Sequence, residues 1–213
     1  MQLRDRIRQF GYLSTLKTVF KTLLRPIFII SQFQILIIKN HKCTAVNCSV
    51  GLITSEKLNQ WNEKNEIDGV EYERFSKFIK NNCIGYYIEI ENELAAWGFV
   101  QTIGTYKYGS YFYDLPENVH MLKNLYVKPN FRGLSLGKKI NEARINAIPE
   151  GFIPIVFVIP ENKYAIRNLK LYGFQEQLKI SHTSWFKKYT YTSLELIQDT
   201  KLNKIIIKGF KTL

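Results

Sequence analysis

The sequence predicts a single α+β domain built on a mixed, mostly antiparallel sheet flanked by helices, with a helical extension at the N-terminus. Three observations carry this. Two strand-like runs, Cys83–Ile90 and Leu94–Thr105, flank the turn Glu91-Asn92-Glu93, the pattern of an antiparallel hairpin. Helix-period and strand-period segments then follow one another, with a near-continuous apolar run at Ile153–Ile159 that suits a strand covered on both faces. No internal repeat or low-complexity linker divides the 213 residues, a length that suits one domain with a sizeable core.

Taken in order, the apolar residues Leu3, Ile7, Phe10, Leu13, Leu16, Phe20 and Leu23 recur at the spacing of one helix face, and Arg25-Pro26 ends that pattern. Residues 1–45 are therefore expected to form a basic amphipathic extension packed on the domain, with 46–213 as the domain itself. A basic helix lying on an anionic membrane is the competing account. Phe28–Ile38 is expected to be a strand. Ser55–Asn65 and Gly69–Asn81 are expected to be helices, with Ser55 as the first one's N-cap. The Tyr- and Gly-containing segment Tyr106–Asn118 reads as a loop, and His120–Val127 as a strand stopped by Pro129. A helix follows from about Leu134 to Ile148. After Ile153–Ile159 comes a helix over Asn162–Tyr172, closed by Gly173. Phe174–Leu213 holds one or two further strands and a basic tail.

Composition narrows the partners. With 46% apolar residues the chain has the makings of a core, and 30 Lys and Arg against 18 Asp and Glu give a net charge of +12. That surplus favours anionic partners such as nucleic acid, an anionic membrane or a phosphate-bearing cofactor. No helix-turn-helix, zinc-finger or aromatic RNA-binding motif is present, so nucleic acid is not the expected partner. Cys43, Cys48 and Cys83 are too few for a disulfide scaffold, and with His41 they match no recurrent metal-ligand spacing, so no metal is expected. The N-terminus lacks a signal-like apolar block. The greasiest stretch, Leu23–Ile38, is interrupted by Arg25, Pro26, Ser31, Gln32 and Gln34, so no transmembrane segment and a cytoplasmic location are expected.

The chemistry concentrates in Leu125-Tyr126-Val127-Lys128-Pro129-Asn130-Phe131-Arg132-Gly133-Leu134-Ser135-Leu136-Gly137-Lys138. A strand stops at a proline, a short basic loop with two glycines follows, and a helix opens within it. Such a loop presents successive backbone N–H groups at the positive end of a helix, which is the local machinery for holding a pyrophosphate. Gly133 and Gly137 allow close backbone approach, and Arg132 and Lys138 add charge.

This stretch resembles the GCN5-related N-acetyltransferase (GNAT) superfamily, whose pattern is a strand ending Val-x-Pro, then Arg-Gly-x-Gly-x-Gly and a helix. A second signature, a buried strand, an Asn opening a helix and a closing Gly-Phe, is matched by Ile153–Ile159, Asn162, Ala165 and Gly173-Phe174. The resemblance covers roughly residues 50–180. It implies a GNAT-like sheet and an acyl-CoA cleft. The strand matching His120–Val127 would bulge away from its neighbour to admit the pantetheine arm, and the backbone of Val127 would pair with pantetheine. The N–H of Leu125 would face the thioester oxygen as oxyanion donor. Arg132, Gly133, Leu134, Ser135, Leu136, Gly137 and Lys138 would wrap the pyrophosphate, and Asn162 would hydrogen-bond the pantetheine.

Three departures qualify what the resemblance implies. Ser135 replaces the middle glycine of the loop. Leu169 stands where many relatives carry a Tyr as general acid near the departing sulfur, and Met121 where many carry a Glu as base, directly or through water. Candidates to replace them are His120, Tyr172, Asp114, Glu117 and His182. For His120 a packing role competes with catalysis, because regular alternation points it away from the face of Met121. For Tyr172 a core role competes. Tyr106, Tyr108, Tyr111, Phe112 and Tyr113 are either an acceptor-pocket lining or a surface loop. The resulting expectation is an N-acyltransferase, with acetyl-CoA or another acyl-CoA as co-substrate and no permanently bound cofactor. It would move the acyl group to an amine, a small molecule or peptide, by direct attack. An acyl group on an acidic carrier protein would also suit the charge. The alternative is a GNAT-fold binding module without catalysis.

Overall fold

The computed structural model describes residues 28–39, 50–108, 111–185, 189–197 and 210–211, together with Tyr12, Leu16 and Val19. The helix expected over Leu3–Leu24 thus lies largely outside the described residues, although those three isolated positions have helical backbone. His41, Cys43 and Cys48 lie outside them altogether. In chain order the elements are β1 (Phe28–Ile37), β2 (Gly51–Leu52), α1 (Ser55–Glu63), α2 (Gly69–Lys80), β3 (Cys83–Ile90) and β4 (Glu93–Gln101). A short pair follows, β5 (Thr105–Tyr108) and β6 (Tyr111–Asp114), then β7 (Val119–Val127), a 3₁₀ turn at Pro129–Phe131 and α3 (Leu136–Asn146). The chain continues through β8 (Ile153–Val158), α4 (Lys163–Leu171), β9 (Gln175–Trp185), β10 (Tyr189–Leu196) and β11 (Phe210–Lys211). The fold is α+β with a mostly antiparallel sheet and flanking helices.

Packing divides the chain into two compact units, one of Met1–Lys39 with Val156–Ile207, the other of Asn40–Ile155 with Lys208–Leu213. In the first, β9 pairs antiparallel with both β1 and β10. Phe33 stacks on Phe157 with ring centroids 5.2 Å apart. In the second unit, β2, β3, β4 and β7 form consecutive antiparallel pairs. Separately, β5, β6 and β11 make a small three-stranded sheet.

The second unit has a core on each side of β4. On one side α1 and α2 bury Leu58, Trp61 and Phe75 against Trp97 and Phe99. Phe75 makes aromatic contacts with Trp97 and Phe99 at 5.6 and 5.1 Å. On the other side Leu136 and Ile140 of α3 pack with Ile88, Ala95 and Ala96. Burial of β4 on both faces explains why its sequence, Leu94 to Gln101, is almost wholly apolar and shows no alternation. The pairing of β3 with β4 shifts between Ile88 and Glu89, which leaves Ala95 as an extra residue on β4. The carbonyl of Ala95 accepts the Lys128 N–H at 2.9 Å, so this first bulge anchors the chain as it leaves β7.

Several boundaries differ from expectation for local reasons. Thr54, not Ser55, caps α1, its Oγ1 accepting the Lys57 N–H at 3.2 Å. The strand expected over Leu94–Thr105 ends at Gln101, and Thr105 opens β5. The expected loop Tyr106–Asn118 contains the β5–β6 hairpin, in which Tyr106 pairs with Tyr113 and Lys107 with Phe112. The aromatic residues Tyr106, Tyr108, Tyr111, Phe112 and Tyr113 carried a strand signal that the neighbouring glycines, Gly104 and Gly109, obscured. The helix expected from Leu134 to Ile148 is shorter, Leu136–Asn146, and that over Asn162–Tyr172 is Lys163–Leu171 with Asn162 and Tyr172 as its caps. Among the described residues no helix is long and apolar enough to cross a membrane.

Candidate functional site

Within β7 the regular pairing with β4 breaks once. Trp97 opposes Tyr126 and Phe99 opposes Lys123, so Asn124 and Leu125 together face the single residue Gly98. Asn124 adopts φ +53°, the left-handed conformation that Asn tolerates better than most residues. This bulge turns the end of the strand outward. Residues 119–122 are buried, whereas Leu125 and Tyr126 are 38% and 37% exposed.

Arg144 holds the bulge from behind. Although it lies on α3, its side chain is only 2% exposed. Its Nη1 donates to the carbonyls of Lys123 and Phe99 at 3.0 and 3.4 Å, and its Nη2 to Oδ1 of Asn141. Those carbonyls belong to the last regular pair before the bulge. Gly98 makes room for this: a Cβ there would sit 2.9 Å from Cγ2 of Ile140 and 3.0 Å from Nη1 of Arg144. Neither Arg144 nor Gly98 was identified from sequence, because a lone Arg on a helix reads as a solvated charge and a Gly in a strand reads only as a weak point. The signal available was their co-occurrence with an Asn inside the β7 pattern.

From the bulge the chain runs into the basic loop. Phe131 and Arg132 donate to the carbonyls of Lys128 and Pro129, forming the 3₁₀ turn. Nε of Arg132 reaches back to the Val127 carbonyl at 3.4 Å. Gly133 then takes φ +92°, which only glycine adopts without strain. Ser135 takes φ +57°, so the residue standing in for the loop's middle glycine accepts the left-handed conformation outright, with no side-chain cap bond. Among the described residues, the N–H groups of Gly133, Leu134, Ser135, Leu136 and Gly137 donate to no hydrogen-bond acceptor. The next two, Lys138 and Lys139, donate to the Ser135 carbonyl at 3.0 and 3.2 Å. A run of free donors around two left-handed residues at the start of α3 has the form of the backbone concavities in which anions are held in proteins generally. Gly137 draws it close to the bulge: a Cβ there would meet Cγ2 of Val127 at 3.5 Å and Cδ2 of Leu125 at 4.0 Å. Lys138 stands exposed at its edge, 3.8 Å from Glu142.

The structure thus brings Leu125, Val127 and Arg132–Lys138 together in one unit. Asn162 belongs to the other unit, where its Oδ1 accepts the Ala165 N–H at 3.1 Å and caps α4. That bond uses the oxygen and leaves the amide hydrogens for another acceptor. Leu169 and Met121 are buried, 5% and 1% exposed, so neither usual acid–base position carries a titratable group. Tyr172 ends α4, its N–H donating to the Leu169 carbonyl at 3.0 Å. Asp114 accepts from the Thr105 hydroxyl in the β5–β6 hairpin, and Glu117 is exposed in the following turn. The side chain of His182 lies outside the described residues.

His120 is 8% exposed and packs against Phe152 at 4.6 Å. Burial holds its pKa below the ordinary histidine value, which keeps it neutral at pH 7. These contacts suit a packing residue. Replacing His120 with Ala is expected to lower the melting temperature while reducing turnover by less than about tenfold, short of the ~10²–10⁴ associated with a true general base. A thousandfold loss of turnover in a folded His120→Ala protein would instead make it the base.

Comparison with known proteins agrees with this geometry. Residues 51–174, more than half of the chain, match the model of the acetyltransferase (GNAT) family. The chain belongs to that family, whose members are acetyltransferases using an acyl-CoA co-substrate. Among solved structures, it is similar to a protein assigned to the GNAT family from Novosphingobium aromaticivorans, at 13% identity and a TM-score of 0.53, covering 79% of this chain and 66% of that one. A functionally unknown conserved protein from Staphylococcus epidermidis aligns at 10% identity and a TM-score of 0.52, covering 78% and 66%. A tandem GNAT protein from the clavulanic acid biosynthesis pathway aligns at 15% identity and a TM-score of 0.51, covering 80% and 58%. At these identities the likeness is one of fold, and the chain spans about two thirds or less of the length of these structures. No protein of curated function matches the sequence.

Proposed function

We propose that the chain is an N-acyltransferase that takes its acyl group from acyl-CoA, with acetyl-CoA as the first donor to test. The observation that carries this is the run of free N–H groups from Gly133 to Gly137, set against a strand that bulges at Asn124. The loop would hold the pyrophosphate, with Arg132 and Lys138 adding charge. Val127 would pair with the pantetheine arm, and the Leu125 N–H would face the thioester oxygen. The amine nitrogen attacks the carbonyl carbon, the C–N bond forms, the C–S bond breaks, and CoA leaves as its thiolate. The ammonium proton passes to water.

Buried Met121 and Leu169 bear on the acceptor. A thiolate leaves tolerably well without a strong acid, its conjugate acid having a pKa near ~8.5 by analogy with cysteine. A missing base matters more. A lysine amine of pKa about 10.4 is neutral to only about 0.04% at pH 7, whereas an α-amine near 7.8 is neutral to roughly 14%. A weakly basic amine is therefore the favoured acceptor class, and turnover is expected to rise with pH along the acceptor's own titration. Calorimetry with CoA followed by a thiol-release assay over pH 6–9 tests this. Binding with turnover supports the enzyme. A pH optimum independent of the acceptor, or a preference for lysine side chains, would show a dedicated base. The same two buried residues favour a second reading, a binding module, which CoA binding without turnover on any amine would support.

A further inference from the structure

Beside the bulge, on the side of β4 that carries α2, the second unit contains a cavity of about 720 Å³. Its lining includes Lys77, Lys80, Lys107 and Lys123, together with Gln101 and Asn124, and none of its lining residues is acidic. Two of the lysines are already engaged elsewhere: Lys77 lies 3.8 Å from Glu73 on the exposed surface of α2, and Lys107 lies over the Phe112 ring at 5.2 Å.

Lys123 is the anchor of the cavity. It lies on the same face of β7 as Met121, one residue before the bulge. Its Nζ donates to Oε1 of Gln101 at 2.8 Å and sits over the Phe78 ring at 3.8 Å. Gln101 is itself 3% exposed and fixed through Nε2 to the Ile103 carbonyl at 3.0 Å. Burial holds the pKa of Lys123 below the ordinary lysine value. A solvated surface lysine has no such desolvation to offset; this one has, and an anion brought beside it would offset it. Next in the chain, Nδ2 of Asn124 is buried and donates to no acceptor. Donors and cations thus converge on this space, and among the described residues only Lys77 of the four lysines has a carboxylate within ion-pair distance.

We propose that this cavity is the acceptor subsite and that it takes an amine bearing an anionic group, a carboxylate or a phosphate. The inference rests on the acyltransferase reading above for the position of the reacting carbonyl. Lys123 stands two residues before Leu125, on the other side of the single bulged residue Asn124. The anion therefore sits a few bonds from the amine that attacks. Lys123 binds it at short range, and Lys80 and Lys107 draw it in through solvent, where salt screens them.

Four dipeptide C-terminal amides, which have near-identical α-amines and no terminal carboxylate, test this: Ala-Gln-NH2, Ala-Glu-NH2, Ala-Ser-NH2 and Ala-phosphoserine-NH2. We expect kcat/KM for Ala-Glu-NH2 or Ala-phosphoserine-NH2 to exceed that of its neutral counterpart by at least about tenfold at low salt. Which of the two pairs shows the larger ratio distinguishes a carboxylate from a phosphate. The ratio is expected to collapse towards one in Lys123→Met and to fall in Lys80→Gln, an exposed position that folding does not depend on. CoA calorimetry is run first, and its heat reports the acyltransferase reading by itself. With CoA saturating, inorganic phosphate is then titrated into wild-type and Lys123→Met protein, with at least about fivefold weaker binding expected in the variant. If CoA binds and all four dipeptides react alike, the subsite is overturned and the acyltransferase reading stands. If CoA does not bind, that reading falls and the acceptor role falls with it. Phosphate binding that Lys123→Met abolishes would still uphold the anion site, and phosphate binding indifferent to that change overturns it.

Discussion

A Gly133→Val protein is expected to fold and to bind CoA at least about a hundredfold more weakly than the wild type. The conformation at this position, φ +92°, is one that a β-branched residue adopts only at a cost of about 1–3 kcal/mol. Nothing lies within 4 Å of the position a Cβ would take, so the substitution crowds no neighbour. The chain can therefore relieve the strain by rotating Gly133 and Leu134 into an ordinary conformation. That turns their N–H groups out of the concavity that the remaining donors define. The loop is exposed and its relaxation leaves α3 in place, so the melting temperature should change by a few degrees only. Gly133→Ala, with less strain, should lose less affinity. Calorimetry with CoA on both variants, alongside circular dichroism, checks this; undiminished affinity in folded Gly133→Val protein would remove the pyrophosphate loop from the account.

The second large effect concerns Arg144. Replacing it with Met keeps the length of the stem but removes the guanidinium, leaving the carbonyls of Lys123 and Phe99 with one donor fewer in a buried setting. Losing hydrogen bonds of a charged donor at a site 2% exposed is expected to cost about 3 kcal/mol of stability. For a chain of this size that corresponds to a fall in melting temperature of roughly 6–12 °C. The loss should reach the donor site as well. Without the clamp on the last regular pair, Asn124 and Leu125 lose their fixed direction, and CoA affinity should drop even at temperatures where the variant is folded. Arg144→Lys, which keeps the charge but cannot bond two carbonyls and Asn141 from one planar group, should fall between. Thermal unfolding and CoA titration at 10 °C separate the two effects. An Arg144→Met protein with unchanged CoA affinity would reduce Arg144 to a purely structural residue.

How much of this was legible beforehand depended on whether chemistry or packing set the residue. The loop Arg132–Lys138 could be read because free N–H groups at a helix start impose glycines and basic residues at fixed spacing. The strand Ile153–Val158 could be read because burial on both faces imposes an unbroken apolar run. The clamp behind the bulge could not be read, since Arg144 touches backbone carbonyls, and a carbonyl is supplied by every residue alike. Ala95 was hidden for a related reason: an extra residue in a strand alters pairing without altering composition. The Thr105–Asp114 hairpin was lost to Gly109 between its strands and Gly104 before it, and the lysine-lined cavity because Lys77 and Lys80 of α2, Lys107 of β5 and Lys123 of β7 are gathered only by folding.

The two bulges give strands β4 and β7 a reading frame. Each extra residue exchanges inside for outside for everything downstream, as a single inserted base shifts every later codon. Ala95 shifts the frame of β4, and Asn124 that of β7, where Leu125 to Val127 follow. The site is consequently written in the parity of strand lengths as well as in side chains. A sequence could keep every residue of the basic loop and still lose the opening if one position vanished between Lys123 and Leu125. Within such a lineage the substitutions would look harmless, and the missing residue would carry the whole change.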